Sequence, residues 1–409
     1  MEQVDVVVIG AGAAGLMAAA EAAARGRRVV LLEKNKRPGL KILISGGGRC
    51  NLTTTRSGPD LEAQYGRARG RFLRHALRSF TPVQLRTLVE KSGVPLQEED
   101  LEKIFPVSRK AADILGVFVE RAAQAGAELR LECPMLGVDR DGDPEGGPLI
   151  VHTPRGTIRC TSIVLATGGL SYPKTGATGD GYPIARQFGH DLVDSVPALA
   201  PLQVDEPWLL DLHGIVLDAE IEVCDPTGRS MVKRRRPCLI THRGLSGPAP
   251  MDVSGAIEER HGEAQLRLDV CPDLESQEID SSLLEAARTH GRRSVHTALP
   301  EHLPERFRHA LVAKAGAGGS LAELGKNARK RLVVDLKRLV LRCERSIGFH
   351  AAEVTRGGVV LGQVDAKTMR SRLDPRLFLC GEILDIDGPI GGFNFQAAFA
   401  TGRLAGLHA

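Results

Sequence analysis

The chain has 409 residues, 42% hydrophobic and 25% charged, the balance of a soluble globular protein too long for one ordinary core. Aromatic residues are only 4%, which argues against an exposed base-stacking platform for RNA, and a net charge of +4 accommodates an anionic ligand without calling for nucleic acid. The eight cysteines lie far apart, with no CxxC pair and no Cys/His grouping at metal spacing; no metal centre is expected, and reduced thiols in a cytoplasmic protein are the natural reading.

The apolar run 4–24 carries Asp5 and glycines at 10, 12 and 15, and lacks N-terminal basic residues, so it reads as a strand, a turn and a helix rather than a signal or membrane segment. Residues 4–9 form a β-branched run typical of a central parallel strand, 16–25 an Ala-rich helix, and 27–33 a second strand ending in Glu33. Together they make one βαβ unit. Helical periodicity is expected over 72–92 and 109–126, and short strands around 128–132, 149–153 and 157–159, with a Gly/Pro/Asp loop at 141–148 suited to a hairpin. Residues 162–167 read as another buried strand running into Gly168 and Gly169. From about 192 the texture becomes antiparallel, with strands at 202–206, 215–224, 230–241 and 264–270 and a turn at 225–228. Residues 276–345 read as helical, and the end of the chain returns to a strand at 376–380 and a helix from about 393. The expected fold class is α/β, a Rossmann-like domain of residues 1–191 and 346–409, interrupted by a β-rich substrate domain at 192–275 and a helical insert at 276–345.

The chemistry begins with GxGxxG at 10–15, placed between strand and helix, with Glu33 following 18 residues after Gly15. Gly10 permits the turn, Gly12 admits a pyrophosphate and Gly15 allows close helix–strand packing. Ala13 and Ala14 then present helix N-terminal N–H groups to phosphate, and Glu33 accepts from an adenosine ribose. A second bare stretch, Ser45-Gly46-Gly47-Gly48-Arg49-Cys50-Asn51, lets backbone approach a flat ligand. Thr167 and Gly168 close one strand, while Gly381 and Glu382 close another ahead of Gly392, Asn394 and Phe395 at the last helix. A long flavin cofactor needs contacts from several strand ends, so these segments point to FAD.

The blocks SGGGRCN, ATGGLSYPKTGATGDGY, THRGLSGPA, AEVTRGGV and CGEILDIDGPIGGFNFQAAFATGRLAG resemble the BaiN/RdsA-type (YhiN-like) flavoproteins over essentially the whole chain. The resemblance implies an FAD-binding fold interrupted by a β-barrel-like unit and a helical unit. It also implies NAD(P)H-linked reduction of activated C=C bonds in steroid-like enones or of uridine in ribosomal RNA, with an aminoacetone oxidase activity attached to some relatives. Thr54, Phe393 and Cys380 depart from the family pattern, where Asn, Tyr and a small residue are usual. The expected cofactor set is Gly10, Gly12, Ala13, Ala14, Gly15, Glu33, Lys34 and Lys41, then Ser45, Gly46, Gly47, Arg49 and Asn51, and finally the strand-end and last-helix residues above.

The expected activity is an FAD-dependent oxidoreductase that takes hydride from NAD(P)H and delivers it through flavin N5 to an activated C=C bond of a small molecule. Dihydrouridine synthesis on ribosomal RNA is the alternative, and a non-catalytic RNA- or protein-binding factor with structural FAD is the reading from another class. With no second GxGxxG unit, reductant and substrate are expected to use one flavin face in turn, giving ping-pong kinetics. Cys50, His242 and Arg243 are the catalytic candidates: Cys50 as a thiol beside flavin and Arg49, and the His-Arg pair in a glycine-flanked turn that could wall a substrate. Ser246 joins His242 and Arg243 as a substrate-side candidate, and Tyr172 and Lys174 are secondary ones. The equally simple readings are that Cys50 packs a tight loop, Arg49 makes a structural salt bridge and His242 is a satisfied turn histidine. Three basic groups raise the RNA reading: Lys233 to Arg236; Arg67, Arg69, Arg71 and Arg74; and Lys326, Arg329, Lys330, Arg331, Lys337 and Arg338.

Overall fold

A computed structural model describes residues 1–141 and 147–409; most of the loop expected at 141–148 lies outside the described residues. The chain divides into two compact units, Met1–Val196 with Glu353–Ala409, and Pro197–Ala352.

In the first unit, β1 (Glu2–Ile9), α1 (Ala13–Ala24) and β2 (Val29–Leu32) form the βαβ unit. β2 is buried at every position, as a strand covered on both faces must be. The helix expected over 72–92 is two, α2 (Gly66–Ser79) and α3 (Pro82–Lys91). The break follows from Pro82, which cannot continue a helix, and from Thr81, which caps α3 in a reciprocal box with Gln84. α4 (Ala111–Gln124) leads into β3 (Glu128–Arg130), and β4 (Gly137–Arg140) pairs antiparallel with β5 (Leu149–Thr153). β6 (Gly156–Leu165) is one continuous strand where the sequence suggested two. Its first half pairs antiparallel with β5 and its last residues run parallel to Leu377–Leu379. The sheet order is β3-β2-β1-β6-β5-β4, parallel from β3 to β6.

In the second unit, β7 (Leu202–Gln203), β8 (Val216–Cys224), β9 (Ser230–Thr241), β10 (Gly244–Ser246), β11 (Gln265–Asp269), β12 (Leu339–Leu341) and β13 (Arg345–Ser346) build an antiparallel sheet in the order β12-β11-β8-β9-β10-β7-β13. The β8–β9 turn is held by Asp225, whose carboxylate accepts from the N–H groups of Thr227 and Arg229 at 2.9 and 3.0 Å. α5 (Pro248–Glu258), α6 (Ser276–Thr289), α7 (Glu305–Lys314) and α8 (Lys326–Arg338) share one hydrophobic cluster with this sheet, including Ile221, Leu268, Phe307 and Leu336. The segment read as helical to 345 ends instead in β12 and β13; a three-residue apolar run such as Leu339-Val340-Leu341 carries no period that separates strand from helix.

Back in the first unit, the last helix, α9 (Phe393–His408), packs along α1. Contact is close enough that a Cβ at Gly402 would stand 2.3 Å from the carbonyl oxygen of Ala14. The small residues of α1 thus bury its whole length between sheet and α9, with Leu16 to Ala19 fully enclosed. Among the described residues, no helix is long and apolar enough to cross a membrane.

Candidate functional site

The parallel strands of the first unit end together, and the residues at those ends fall into three groups. The first is the GxGxxG turn. A Cβ at Gly15 would lie 1.8 Å from the Gly10 carbonyl oxygen, so that glycine is fixed by packing, whereas one at Gly12 would meet nothing within 4 Å. Gly12 caps α1 with no side-chain hydrogen bond, so among the described residues the first-turn N–H groups of Ala13, Ala14 and Gly15 have no side-chain acceptor at the positive end of the helix. At the end of β2 the buried Glu33 carboxylate accepts from Ala11 N at 3.0 Å and from Asn35 N and Nδ2 at 2.9 and 2.7 Å. Those bonds set its orientation. Lys34, next along, pairs with Asp180 and Thr178.

The second group is the glycine loop. Gly46, Gly47 and Gly48 all hold positive φ (55°, 68° and 84°), and a helical stretch from Leu40 turns out of helical geometry at Ser45, whose Oγ donates to Ile42 O at 2.8 Å. Arg49 donates to Glu99 at 3.0 Å and to Gly46 O at 3.1 Å, and its guanidinium lies 4.4 Å from the Phe105 ring centre. This is the structural salt bridge, and Arg49 braces the loop through it. Cys50 is 1% exposed, and burial pushes its thiol up to about 12 against the opposing hydrogen bond of Ser45. Its burial fits the reading of Cys50 as a packing group in a tight loop.

The third group comes from the C-terminal segment. Burial pushes the Glu382 carboxyl up, but the charge and hydrogen bond of Lys41, with those of Ser171 and Thr355, outweigh burial and hold it below the usual carboxylate range. Lys41 Nζ lies 2.7 Å from one oxygen; Ser171 Oγ and Thr355 N reach the other at 2.6 and 2.8 Å. Beside it Arg69 donates to Asp385 at 2.7 Å and approaches Asp387 at 3.2 Å, while Arg356 donates to Asp387 at 2.8 Å. Ser171, Thr355, Arg356 and Asp387 were not singled out in the sequence, although each lies inside a resemblance block. Asn394 spends its amide on its own loop, accepting from Gly388 N and donating to Gly388 O, both at 2.9 Å. Phe395 packs against the first unit's core. These two residues lie in the first turn of α9, where Asn394 ties the helix to the loop before it. Gly392 crosses Thr53, whose backbone a Cβ would meet at 2.4 Å, and a Cβ at Gly381 would lie 2.8 Å from the Ala14 Cβ.

In the second unit, His242 and Arg243 sit exposed in the β9–β10 turn. They line a cavity of about 500 Å³ with Gln203, Asp205, Arg342, Glu344 and Arg345. Arg342 pairs with Glu344 at 2.9 Å. Cys50 belongs to the first unit and this pair to the second. Ser246 faces Met251 on α5, and Tyr172 holds a left-handed φ of 50° beside the exposed Lys174. About half of the residues in the basic groups pair with carboxylates. Lys233 pairs with Glu220, Arg235 with Asp218 and Asp273, and Arg236 with the buried Asp252. Arg74, Arg329 and Lys337 pair with Glu62, Asp280 and Asp269.

The sequence model of the HI0933-like protein Rossmann domain family matches residues 4–408. The chain belongs to this family. It is a Rossmann-type, FAD-dependent oxidoreductase. A ribosomal RNA dihydrouridine synthase of Escherichia coli (strain K12) is 34% identical over 405 residues, covering 98% of this chain and 96% of that protein. A 3-dehydro-bile acid delta(4,6)-reductase of Clostridium scindens is 28% identical over 415 residues, covering 98% and 97%. In fold, the chain is similar to the 3-ketosteroid delta1-dehydrogenase of Sterolibacterium denitrificans solved with 1,4-androstadiene-3,17-dione, at TM-score 0.53 and 14% identity, covering 100% of this chain and 99% of that one.

The HI0933-like residues fit FAD. The uncapped N-terminus of α1 and the open space over Gly12 suit a pyrophosphate, and Glu33 is oriented for a ribose. Two buried oxygens, Asn51 Oδ1 and Thr167 Oγ1, have no hydrogen-bond partner among the described residues. Both lie in segments at the strand ends, where a ligand's polar groups could satisfy them.

Proposed function

We propose that this enzyme reduces a carbon–carbon double bond conjugated to a carbonyl, and that the bond is C5=C6 of uridine in ribosomal RNA. What carries the reading is the 34% identity to a ribosomal RNA dihydrouridine synthase across 98% of the chain. The reaction consumes NAD(P)H, a proton and uridine and yields NAD(P)⁺ and dihydrouridine. FAD, when bound, supplies the hydride chemistry. The protein's share is to hold and orient. Gly12, Ala13 and Ala14 bind the pyrophosphate, Glu33 the ribose, and Asn51 and Thr167 the remaining polar edges. The Lys41–Glu382–Ser171 cluster fixes the glycine loop against the strand end at Gly381. His242 donates a proton from its imidazole ring to the carbon next to the carbonyl. Arg243 and Arg345 draw the anionic backbone of the substrate into the second unit's cavity.

A small-molecule enone is the second reading. It is favoured by the similarity to a bile acid reductase and by the neutralised charge of Lys233, Arg235 and Arg236. The deciding experiment is mass spectrometry of ribosomal RNA from a deletion strain, with and without the restored gene. Dihydrouridine should vanish on deletion, return with the wild-type gene and stay absent with His242→Ala. Unchanged dihydrouridine on deletion, together with rapid enone turnover by the purified enzyme without RNA, would transfer the proposal to the second reading.

A further inference from the structure

We infer that His296, Glu305 and His309 form a binding site for a divalent transition metal, with Zn²⁺ as the expected occupant. One ligand atom from each of the three lies within 4.8 Å of the others. Glu305 and His309 stand four residues apart on α7, hence on one helix face, with His309 Nε2 3.7 Å from Glu305 Oε1. His296 comes from the short turn Val295–Ala298 and stacks on His309, with ring centres 3.7 Å apart at 28°.

Both backbone pieces are fixed before any ion arrives. Val295 and Leu299 anchor the turn and Phe307 and Leu311 anchor α7, all buried in the second unit's core. Arg308, the nearby cation, directs Nη1 at the His296 carbonyl at 3.4 Å, which ties the turn to the helix. The ligand side chains themselves are half-buried or exposed, so rotation about their side-chain bonds alone can draw the donors to zinc distances of about 2.0–2.2 Å. Two neutral imidazoles and one carboxylate leave a net single positive charge on the ion and a fourth position for water. Nitrogen-rich ligands of this kind favour Zn²⁺, Ni²⁺ or Cu²⁺, whereas Mg²⁺ prefers oxygen and its own water. All eight thiols are buried, so the folded protein offers no cysteine in competition. The bound ion would staple the turn to α7 and stabilise the second unit.

The test is calorimetric titration of untagged, chelator-treated, full-length protein with ZnCl₂, with Co²⁺ absorption as a spectroscopic readout and MgCl₂ as a control. Wild type should bind one Zn²⁺, give Co²⁺ bands of low coordination number and take up no Mg²⁺. His296→Ala and His309→Ala should each weaken Zn²⁺ by roughly tenfold or more, and Glu305→Gln by less. Circular dichroism and bound FAD of each variant establish that it is folded. No stoichiometric Zn²⁺ binding by wild type, or undiminished binding by the folded His296→Ala, His309→Ala double variant, would overturn the assignment.

Discussion

Replacing Lys41 with methionine leaves the Glu382 carboxylate among groups that cannot neutralise it. In the wild type, Lys41 Nζ sits 2.7 Å from that carboxylate, and the two side chains are 24% and 19% exposed. Removing one partner of a fully buried pair costs about 3–5 kcal/mol, and the residual exposure of this pair reduces that to roughly 2–3 kcal/mol. For a unit of this size, the melting point should fall by roughly 5–10 °C, read as the rise in flavin fluorescence when FAD is released. The pH dependence is the decisive part. Wild-type Glu382 is held below its ordinary range, so its contribution to stability is present above the unfolded value of about 4.3 and is lost as pH falls through the lower folded value. Without Lys41, burial dominates and the folded value rises above the unfolded one. The carboxylate then costs stability at neutral pH, and the cost is relieved as the group protonates. The gap between Lys41→Met and wild type should therefore be widest near neutrality and close as pH approaches 4. Adding Glu382→Gln should recover much of the loss, since the amide oxygen still accepts from Ser171 and Thr355. A gap that stays constant across pH would refute the ion-pair account and point to a lost cofactor contact instead.

Two further perturbations separate packing from binding. Gly15→Ala places a Cβ 1.8 Å from the Gly10 carbonyl oxygen and should give aggregated or FAD-free protein, whereas Gly12→Ala, which meets no protein atom within 4 Å, should fold and lose FAD affinity by tenfold or more in an equilibrium titration. An FAD-replete, stable Gly15→Ala protein would contradict the turn geometry. Cys50→Ala should keep kcat within a few-fold of wild type, and native Cys50 should resist thiol reagents at pH 8 because its thiol is buried and pushed up to about 12. Rapid labelling of the folded protein, or a kcat loss beyond tenfold, would restore Cys50 to the chemistry.

The βαβ unit was legible because its signal is local. An apolar strand, the six residues of GxGxxG, an Ala-rich helix and a second strand ending in an acid are all read in order along the chain. The same holds for the β8–β9 turn, where Asp225 and Gly228 specify their own geometry. What stayed hidden is pairing at a distance. Arg49 stands beside glycines in the sequence, and only the fold reveals that Glu99 and Phe105 occupy it. Arg69 looked like one of four cations on a basic helix, yet it is spent on Asp385 and Asp387, more than three hundred residues away.

That pattern bears on how basic residues are counted. A run such as Lys233 to Arg236 alternates faces along β9, and the facing strand β8 supplies Glu220 and Asp218 as diagonal partners of Lys233 and Arg235, two residues off the direct register. Cross-strand pairing of this kind is what a sheet does with charge, and each pair withdraws a cation from a phosphate. Arg243 lies in the β9–β10 turn and Arg345 stands opposite the uncharged Gln203 of β7, so neither meets a carboxylate in the strand register. Charge available to a polyanion is therefore set by topology rather than by composition. If RNA is the substrate, its salt-dependent affinity should fall with Arg243→Ala and Arg345→Ala and remain nearly unmoved by Lys233→Ala. The reverse order would mean that the ion pairs along β9 open on binding.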